Sequence, residues 1–271
     1  MFENIAFGPG GEPRKPEEDE LVKIWEDSDA LSESKIVAVT SRKTYGICYI
    51  QIHPDYRHIE KEIIRTLESH VIESRKKDDD VAKIGFLVAE SDSIRIETLK
   101  ELGYKRGEVE EHNRIRPIDL PVPDYKLPEG FTIRHVDIVA EYKKYRELQG
   151  SVFKHMANMQ LSQAKRYSEA SFYNAELDLV AVGPDGKFAS FVTVRIDPIS
   201  RMAELEPVGT HPDFRGMGLS KATCIEGLRR VAKYNPTCMV ILGAAPTEGA
   251  TKLYDSLGFS KEDVHLWKKE L

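Results

Sequence analysis

Short runs of β-branched and aromatic residues alternate with stretches of helical periodicity along most of the chain. In the second half these runs predict six strands, at 131–136, 177–182, 188–196, 203–210, 239–242 and 264–268. Apolar residues at helical spacing predict the helices between them, one after Asp137 and others at about 162–171, 217–234 and 247–257. The order strand, two helices, three strands, helix, strand, helix, strand predicts an α/β fold (an α+β mixed sheet).

The first half carries a shorter version of this order. Apolar runs at 36–39, 45–52 and 84–89 predict three strands. Helical spacing predicts one helix from about 59 to 75, and a second helix from 93 to 102 that ends at a glycine.

Two segments of unusual composition predict the domain boundaries. Residues 1–20 combine glycine and proline with a run of acidic residues, which predicts a flexible N-terminal segment. Residues 116–130 contain four prolines, too many for a helix or a central strand. We therefore predict a first domain at 21–116, a proline-rich linker at 117–130 and a second domain at 131–271.

The composition argues against several classes of partner. A net charge of −6 without a basic cluster disfavours nucleic acid as the main partner. Three scattered cysteines, Cys48, Cys224 and Cys238, are too few for a disulfide framework or a zinc site, so no metal is expected. No apolar run approaches the roughly 18 residues of a membrane span, and the N-terminus lacks a secretion signal. We therefore expect a cytoplasmic protein that binds neither membranes nor nucleic acid, either a monomer or a homodimer.

The stretch from Ala203 to Ala222 carries the clearest functional signal. It predicts a strand, a short turn and a helix whose first turn is rich in glycine. Residues 215–220 would place several unpaired backbone N–H groups at the start of that helix. Glycines let a ligand approach the backbone closely, and the helix dipole favours negative charge there. The stretch therefore predicts a phosphate-binding turn.

Two familiar phosphate loops do not fit this spacing. A Walker loop ends in Gly-Lys-Ser or Gly-Lys-Thr, which is absent here. A dinucleotide fingerprint needs three glycines directly after the strand, whereas here a third glycine is missing and residues 211–215 intervene. Neither loop accounts for the turn.

The stretch resembles motif A of the GNAT acyltransferases. Arg215 and Gly218 match the motif, whereas Ser220 departs from its last position but is still small. The resemblance covers about residues 130–271 and implies a GNAT fold with acetyl-CoA as co-substrate. It implies that the pyrophosphate binds backbone N–H groups of the turn and that the pantetheine arm pairs with the preceding strand. The cofactor-binding residues implied in this way are Val208, Gly209, Thr210, Arg215, Gly216, Met217, Gly218, Leu219, Ser220, Thr247 and Tyr254.

Acyl transfer from a thioester to an amine also needs a proton acceptor and a proton donor. Glu204 and Glu206 have the same parity on the predicted strand, so both are expected on one face, and either is a candidate base. Residues 251–259 resemble motif B of the GNAT family, where a tyrosine before Leu-Gly-Phe protonates the departing thiolate. The resemblance implies this role for Tyr254. The family often has an asparagine at the position of Thr247, so that contact with the pantetheine arm is in doubt.

The turn has a worn counterpart in the first half of the chain. Residues 53–57 repeat the His-Pro-Asp-aromatic-Arg sequence of residues 211–215, and 99–104 resembles 254–259 at a similar offset. Both glycines are lost after the first copy of the turn, and acidic residues such as Glu60 would repel a phosphate. We therefore expect two tandem GNAT-like domains, of which the first is degenerate, truncated and without a working cofactor site.

Three functions remain open at this level. The first is an acyl-CoA-dependent N-acyltransferase that moves an acetyl group to a primary amine of a small molecule or peptide in a ternary complex. The second is a non-catalytic CoA-binding regulatory protein whose degenerate domain serves as an interaction surface. The third is a tandem-GNAT transferase that uses aminoacyl-tRNA, which the acidic balance disfavours. We predict the first, because the intact turn and Tyr254 occur together.

Overall fold

The computed structural model describes four segments of the chain, residues 22–27, 35–42, 46–75 and 83–271. The predicted flexible segment 1–20 lies outside them. The chain divides into two compact units. In the described residues, the N-terminal unit comprises the chain up to His112 together with residues 262–271, and the C-terminal unit comprises residues 113–261. None of the helices in these segments is long and apolar enough to cross a membrane.

The N-terminal unit is built from strands and two helices. Its elements are β1 (Val22–Asp27), β2 (Lys35–Arg42), β3 (Ile47–Ile52), a 3₁₀ turn (Pro54–Ile59), α1 (Glu60–Arg75), β4 (Lys83–Ala89), α2 (Ser93–Glu101), the first part of β5 (Lys105–Arg116) and β11 (Glu262–Glu270). The strand order in this unit is β1-β2-β3-β4-β11-β5. Strands β3 and β4 are parallel, whereas β1–β2, β2–β3 and β4–β11 are antiparallel pairs.

The core of the N-terminal unit joins its helices to its sheet. Ile63 and Ile64 on α1 are fully buried together with Ile84 and Phe86 on β4. Trp267 on β11 lies in the same cluster and is 4% exposed. The last strand of the chain is therefore part of this core.

The C-terminal unit places its helices around a second set of strands. Its elements are the end of β5, β6 (Thr132–His135), α3 (Tyr142–Val152), α4 (Leu161–Ser168), β7 (Asp178–Val182), β8 (Phe188–Ile196), β9 (Met202–Thr210), α5 (Leu219–Val231), β10 (Cys238–Ala244) and α6 (Glu248–Asp255). The strand order is β5-β10-β9-β8-β7-β6, with antiparallel pairs from β6 to β9 and a parallel pair between β9 and β10. Buried residues of β8, β9, β10, α5 and α6 form one apolar cluster.

The predicted fold class is confirmed, since both units combine helices with mixed strands. Strand β8 begins and ends at the predicted residues, and the other predicted helices and strands are present with small shifts at their ends. Two strands were not predicted. Strand β1 precedes the first apolar run, and β5 is so rich in charged residues that no apolar pattern marks it.

The two compact units divide the chain at different residues from the predicted domains. Strand β11 belongs to the N-terminal unit, although the prediction assigned residues 131–271 to one domain. The end of β5 and the predicted linker, 117–130, belong to the C-terminal unit. The domain boundaries proposed from sequence thus follow chain order, whereas the units follow packing.

The proline-rich segment contains neither helix nor strand, as its prolines predict, yet it is packed against the C-terminal unit. Arg116 is buried beside it and donates hydrogen bonds to the carbonyl oxygens of Pro117, Leu120 and Pro121 at 2.9–3.1 Å. Its Nε also donates to the carbonyl oxygen of Leu257 at 2.8 Å. This guanidinium therefore helps to hold the segment against the unit.

Candidate active site

The glycine-rich turn between β9 and α5 has the conformation that only glycine adopts easily. Gly216 and Gly218 have φ angles of 79° and 75°. A Cβ at either position would meet nothing within 4 Å, so the left-handed backbone, and not lack of space, favours glycine there. Residues 215–218 are all exposed. The turn therefore presents bare backbone to a ligand.

The first turn of α5 leaves its backbone N–H groups available. Gly218 is the N-cap residue and offers no side-chain hydrogen bond to the helix. Within the described residues, none of the N–H groups of residues 216–220 donates to a protein acceptor, and the first such bond is from Ala222 N to Gly218 O at 3.0 Å. Unpaired N–H groups together with the helix dipole favour an anion at this point.

The parallel pairing of β9 with β10 is short and ends near the middle of both strands. Three residue pairs are formed, from Met202 with Cys238 to Glu204 with Val240. Beyond them β9 continues to Thr210 and β10 to Ala244 without pairing to each other. The facing edges of these strand ends offer backbone groups to an extended ligand that contains amides.

A bulge in β9 changes the expected alternation of its side chains. Val192 of β8 pairs with Val208, but Val194 pairs with Leu205, so β9 has one extra residue between them. Leu205 and Val208 consequently both pack in the core cluster that includes α5. Strict alternation across positions 204–208, on which the prediction for the two glutamates rested, is interrupted.

The structure gives the two candidate glutamates different surroundings. Glu204 lies directly opposite Arg195 of β8 in the antiparallel register. Glu206 lies at the bulge, close enough to the Tyr254 phenol to raise its pKa. Both are half-buried. Only Glu206 is thereby linked electrostatically to the candidate acid.

Tyr254 lies near the end of α6 and is 7% exposed. Its ring packs edge-on against Phe259 at 6.1 Å between centroids. Burial raises the pKa of the Tyr254 phenol well above its ordinary value, and Cys224 and Glu206 raise it further, whereas Arg114 lowers it. The phenol is therefore protonated at neutral pH and suited to donate a proton.

The side chains of the other predicted cofactor-binding residues on β9 are used within the protein. Val208 packs against the core, and Gly209 lies opposite Phe191 of β8. A Cβ at Gly209 would come within 2.7 Å of the Phe191 ring. Thr210 Oγ1 is 2.9 Å from Ser190 Oγ. What these positions offer a ligand is therefore backbone.

Side chains around the glycine turn and at the start of α6 are also engaged. Arg215 Nε donates to Thr210 O at 3.4 Å, and Leu219 is buried. Met217 is exposed and Ser220 is half-buried. Thr247 is the N-cap of α6, with its Oγ1 accepting from Ala250 N at 3.3 Å. Thr247 thus has a structural task whether or not it contacts a ligand.

Arg114 was missed by the sequence analysis. It lies on the part of β5 that belongs to the C-terminal unit, and its side chain is 1% exposed. Its guanidinium carbon is 5.5 Å from the centre of the Tyr254 ring, and Nη1 donates to Asp255 Oδ1 at 2.6 Å. His112, Arg114 and Arg116 alternate as the buried positions of β5, but their side chains are polar, so no hydrophobic pattern marks them in the sequence.

A buried polar cluster under α3 was also missed. Asp178 accepts hydrogen bonds from the hydroxyls of Tyr145 at 2.6 Å, Thr193 at 2.9 Å and Tyr173 at 3.3 Å. Burial raises the pKa of Asp178 to about 6, although these hydrogen bonds lower it. The cluster ties α3 to β7 and β8, and nothing in the spacing of these residues marks them in the sequence.

The counterpart of the turn in the N-terminal unit has the same start and a different end. His53 Nδ1 accepts from Asp55 N at 3.3 Å, as His211 Nδ1 does from Asp213 N at 3.2 Å, so each histidine organises its own turn. Seven residues after His53, Glu60 stands where the second copy has Gly218. It is fully buried and pairs with two arginines, Arg57 and Arg95.

This carboxylate gives the start of α1 an internal anion. Arg57 Nη2 also donates to Asp92 Oδ1 at 2.5 Å, so two carboxylates face the two guanidiniums and the cluster is neutral overall. Among the described residues of the turn, no glycine follows Arg57 as Gly216 and Gly218 follow Arg215. The arrangement leaves little reason for a phosphate to bind here.

Comparison with known proteins agrees with these features. Residues 141–259 match the acetyltransferase (GNAT) family. A mycothiol acetyltransferase from Paenarthrobacter aurescens is 22% identical over 252 residues, which cover 88% of this chain and 76% of that protein. A mycothiol acetyltransferase from Salinispora tropica is 29% identical over 175 residues, which cover 61% of this chain and 56% of that protein.

Solved structures share the fold over nearly the whole chain. A GCN5-related N-acetyltransferase from Sphaerobacter thermophilus has a TM-score of 0.64 at 19% identity and covers 87% of this chain and 77% of its own. A tandem GNAT protein from the clavulanic acid biosynthesis pathway has a TM-score of 0.61 at 16% identity and covers 92% of this chain and 83% of its own. At such identities these structures establish the fold alone. The family match identifies residues 141–259 as an acetyltransferase domain of the GNAT family.

Proposed function

We propose that the C-terminal unit transfers an acetyl group from acetyl-CoA to a primary amine by direct attack in a ternary complex. The observation that carries the proposal is the end of the β9–β10 pairing beside the uncapped start of α5. An extended ligand with a phosphate at one end fits such a pair of features. GNAT acetyltransferases use acetyl-CoA, which has this form.

The donor is held mainly by backbone in this proposal. The N–H groups of residues 216–220 bind the pyrophosphate, and the free edge of β9 at residues 208–210 pairs with the amides of the pantetheine arm. The engaged side chains of Val208, Thr210 and Thr247 support this division. The thioester then lies between β9 and β10, on the side of Tyr254.

We assign the two proton transfers to Glu206 and Tyr254. Glu206, directly or through water, accepts a proton from the amine so that its lone pair can attack the thioester carbon. Tyr254 donates its proton to the sulfur as the carbon–sulfur bond breaks. Glu206 is preferred to Glu204 because it is coupled to Tyr254, whereas Glu204 faces Arg195 across the β8–β9 pair.

Two substitutions at Gly218 that differ by one negative charge test donor binding. Asparagine and aspartate have the same shape and tolerate a positive φ better than most residues, but only aspartate adds a negative charge. We expect Gly218→Asp to weaken acetyl-CoA binding by about tenfold more than Gly218→Asn, because a carboxylate repels the phosphates at the helix start. Isothermal titration with acetyl-CoA measures both the affinity and the number of sites.

The control is the same pair of substitutions at Gly103, in the N-terminal unit, which has a φ of 82° and open space around it. There we expect equal affinities for the two variants. One site per chain agrees with a silent N-terminal unit, whereas two sites contradict it. Equal affinities of the two Gly218 variants would refute phosphate binding at this turn.

The two glutamates are distinguished by their pH profiles. We expect Glu206→Gln to lower kcat by about 100-fold near neutral pH and to recover part of that loss as pH rises and the amine deprotonates in solution. Glu204→Gln is the matched control and should change kcat less than about threefold. The reverse ranking in initial-rate measurements would assign the base to Glu204.

The acceptor screen follows from the same proposal. Acidic residues near the site favour a cationic amine as acceptor. Because two relatives are named mycothiol acetyltransferase, the screen should include the amine that those enzymes acetylate, together with simple primary amines. Binding of acetyl-CoA without turnover across this panel would favour a regulatory CoA-binding module instead.

A further inference from the structure

The C-terminal unit buries a guanidinium whose hydrogen-bonding capacity is only partly used. Arg114 is almost fully buried, and one nitrogen, Nη1, bonds to Asp255. The other two nitrogens, Nε and Nη2, are buried and have no hydrogen-bond partner among the described residues. A buried charge with unpaired N–H donors lowers stability unless another group interacts with it.

Arg116, two residues along the same strand, shows what a purely structural arginine looks like here. It is also buried, and all three of its nitrogens donate to backbone carbonyl oxygens at 2.8–3.1 Å. Arg114, by contrast, donates to no backbone carbonyl oxygen among the residues that the structure describes. What it contacts is the side chains of Tyr254 and Asp255. The difference points to a task for Arg114 other than holding the fold.

Arg114 offsets the energetic cost of ionising the buried Tyr254 phenol. When a phenol gives its proton to a thiolate it becomes a phenolate, and burial disfavours that charge. The neighbouring Cys224 and Glu206 disfavour it further. Arg114 is the cation among the groups that act on this phenol, and its partner Asp255 is 57% exposed, so water screens the opposing carboxylate more than the buried guanidinium.

We propose that Arg114 is a positioning residue for acyl transfer, whose buried guanidinium stabilises the phenolate left when Tyr254 protonates the departing thiolate. In this step the carbon–sulfur bond breaks and its electron pair goes to sulfur. The phenol proton then forms the S–H bond, and the negative charge moves to the Tyr254 oxygen. After the attack the new C–N nitrogen loses its remaining extra proton to solvent. The proton that Glu206 took from the amine restores the phenol through solvent, which leaves amide and thiol as products and returns Glu206 to its carboxylate form.

The first half of the sequence thus contributes one residue, Arg114, to the proposed site. Arg114 comes from β5, about 140 residues before Tyr254, yet it belongs to the C-terminal unit. A second domain expressed without β5 would lack this cation. The proposal rests on the proposed function for its chemistry. The stabilisation of the phenolate by Arg114, however, can be tested without turnover.

The test without turnover replaces Tyr254 by a fluorinated tyrosine, whose phenol is acidic enough to titrate while the protein is folded. The ¹⁹F resonance of this single label reports its pKa in the wild-type, Arg114→Met and Arg114→Lys backgrounds. We expect the pKa to be higher with Arg114→Met and close to wild type with Arg114→Lys, since lysine keeps the charge. The same pKa with methionine and arginine would overturn the proposal.

The test with turnover is a double-mutant cycle on kcat. We expect Arg114→Met to lower kcat about tenfold in the wild-type background and by less than twofold in the Tyr254→Phe background, with little change in acetyl-CoA affinity. Arg116→Met is the matched control: it should lower the melting temperature and change kcat by the same factor in both backgrounds. Equal losses for Arg114→Met in both backgrounds would overturn the proposal.

The two tests separate this inference from the proposed function. A protein that acetylates no amine refutes the proposed function, whereas the ¹⁹F titration still decides whether Arg114 stabilises the phenolate. Normal acetylation with an unchanged phenol pKa refutes Arg114 alone.

Discussion

We expect Tyr254→Phe to lower kcat by about 100-fold and to leave the affinity for acetyl-CoA within about twofold, because general acid catalysis contributes roughly this much. The substitution removes one hydroxyl and keeps the ring that packs against Phe259 in the core. Without the phenol, the thiolate must leave unprotonated or take a proton from water. Initial rates at saturating acetyl-CoA, together with calorimetric affinity, measure the two effects separately.

A second tyrosine in the same unit serves as the control. Tyr125 has its hydroxyl 3.2 Å from Glu226 on α5, and it has no proposed part in the reaction. We expect Tyr125→Phe to keep kcat within about twofold of wild type, since it also loses one hydroxyl. Unchanged turnover in Tyr254→Phe would remove the acid role, and a large loss of acetyl-CoA affinity would assign Tyr254 to binding instead.

The turn and α6 could be predicted because their chemistry is local. Glycines at 216 and 218 mark a left-handed backbone at the start of a helix, and both have positive φ. Tyr254 was singled out because residues 251–259 resemble motif B of the GNAT family, and its catalytic role stays a prediction. Such features depend on neighbours within a few residues, which a single sequence displays.

The bulge in β9 had a signal that was not used. Pro207 has no N–H group to give to a neighbouring strand, and proline inside a strand often marks a bulge or an edge. Treating β9 as a regular strand placed Glu204 and Glu206 on one face. The bulge instead brings Leu205 and Val208 to one core cluster. The surroundings of the two glutamates could therefore be read only from the structure.

Arg114 could not be predicted because burial of a cation depends on distant partners. Strand β5 resembles a charged surface segment, because seven of its twelve residues are Lys, Arg or Glu. Arg114 and Arg116 are buried because Asp255 and the carbonyl oxygen of Leu257, about 140 residues away, accept their hydrogen bonds. No hydrophobic period reports such pairing, since the buried groups are themselves polar.

The packing of β11 differs from what its place in the chain suggests. Chain order suggested that the strand after α6 completes the domain of α6. The packing of Trp267 with Phe86 and Ile84 assigns it to the N-terminal unit instead. Strands that follow each other in the chain are often neighbours in the sheet, but not always. Here the register shows that β11 pairs with β4.

We expect Trp267→Ala to destabilise the N-terminal unit by about 3–5 kcal/mol, the usual cost of emptying a buried aromatic site. The indole is 4% exposed, and its strand pairs with β4 over seven residues, from Val264 with Ala89 to Glu270 with Lys83. Urea unfolding of the full chain measures the loss of stability. Amide hydrogen exchange locates it, and we expect faster exchange in β4 with little change in β8.

The neighbouring position provides the control for this prediction. Lys268 is exposed on the same strand, so Lys268→Ala should change the free energy of unfolding by less than about 0.5 kcal/mol. Because the proposed site lies within residues 113–261, Trp267→Ala should also keep the acetyl-CoA affinity of wild type. Faster exchange in β8 instead of β4 would show that β11 supports the C-terminal unit, and the domain predicted at 131–271 would then describe the protein better than the packing does.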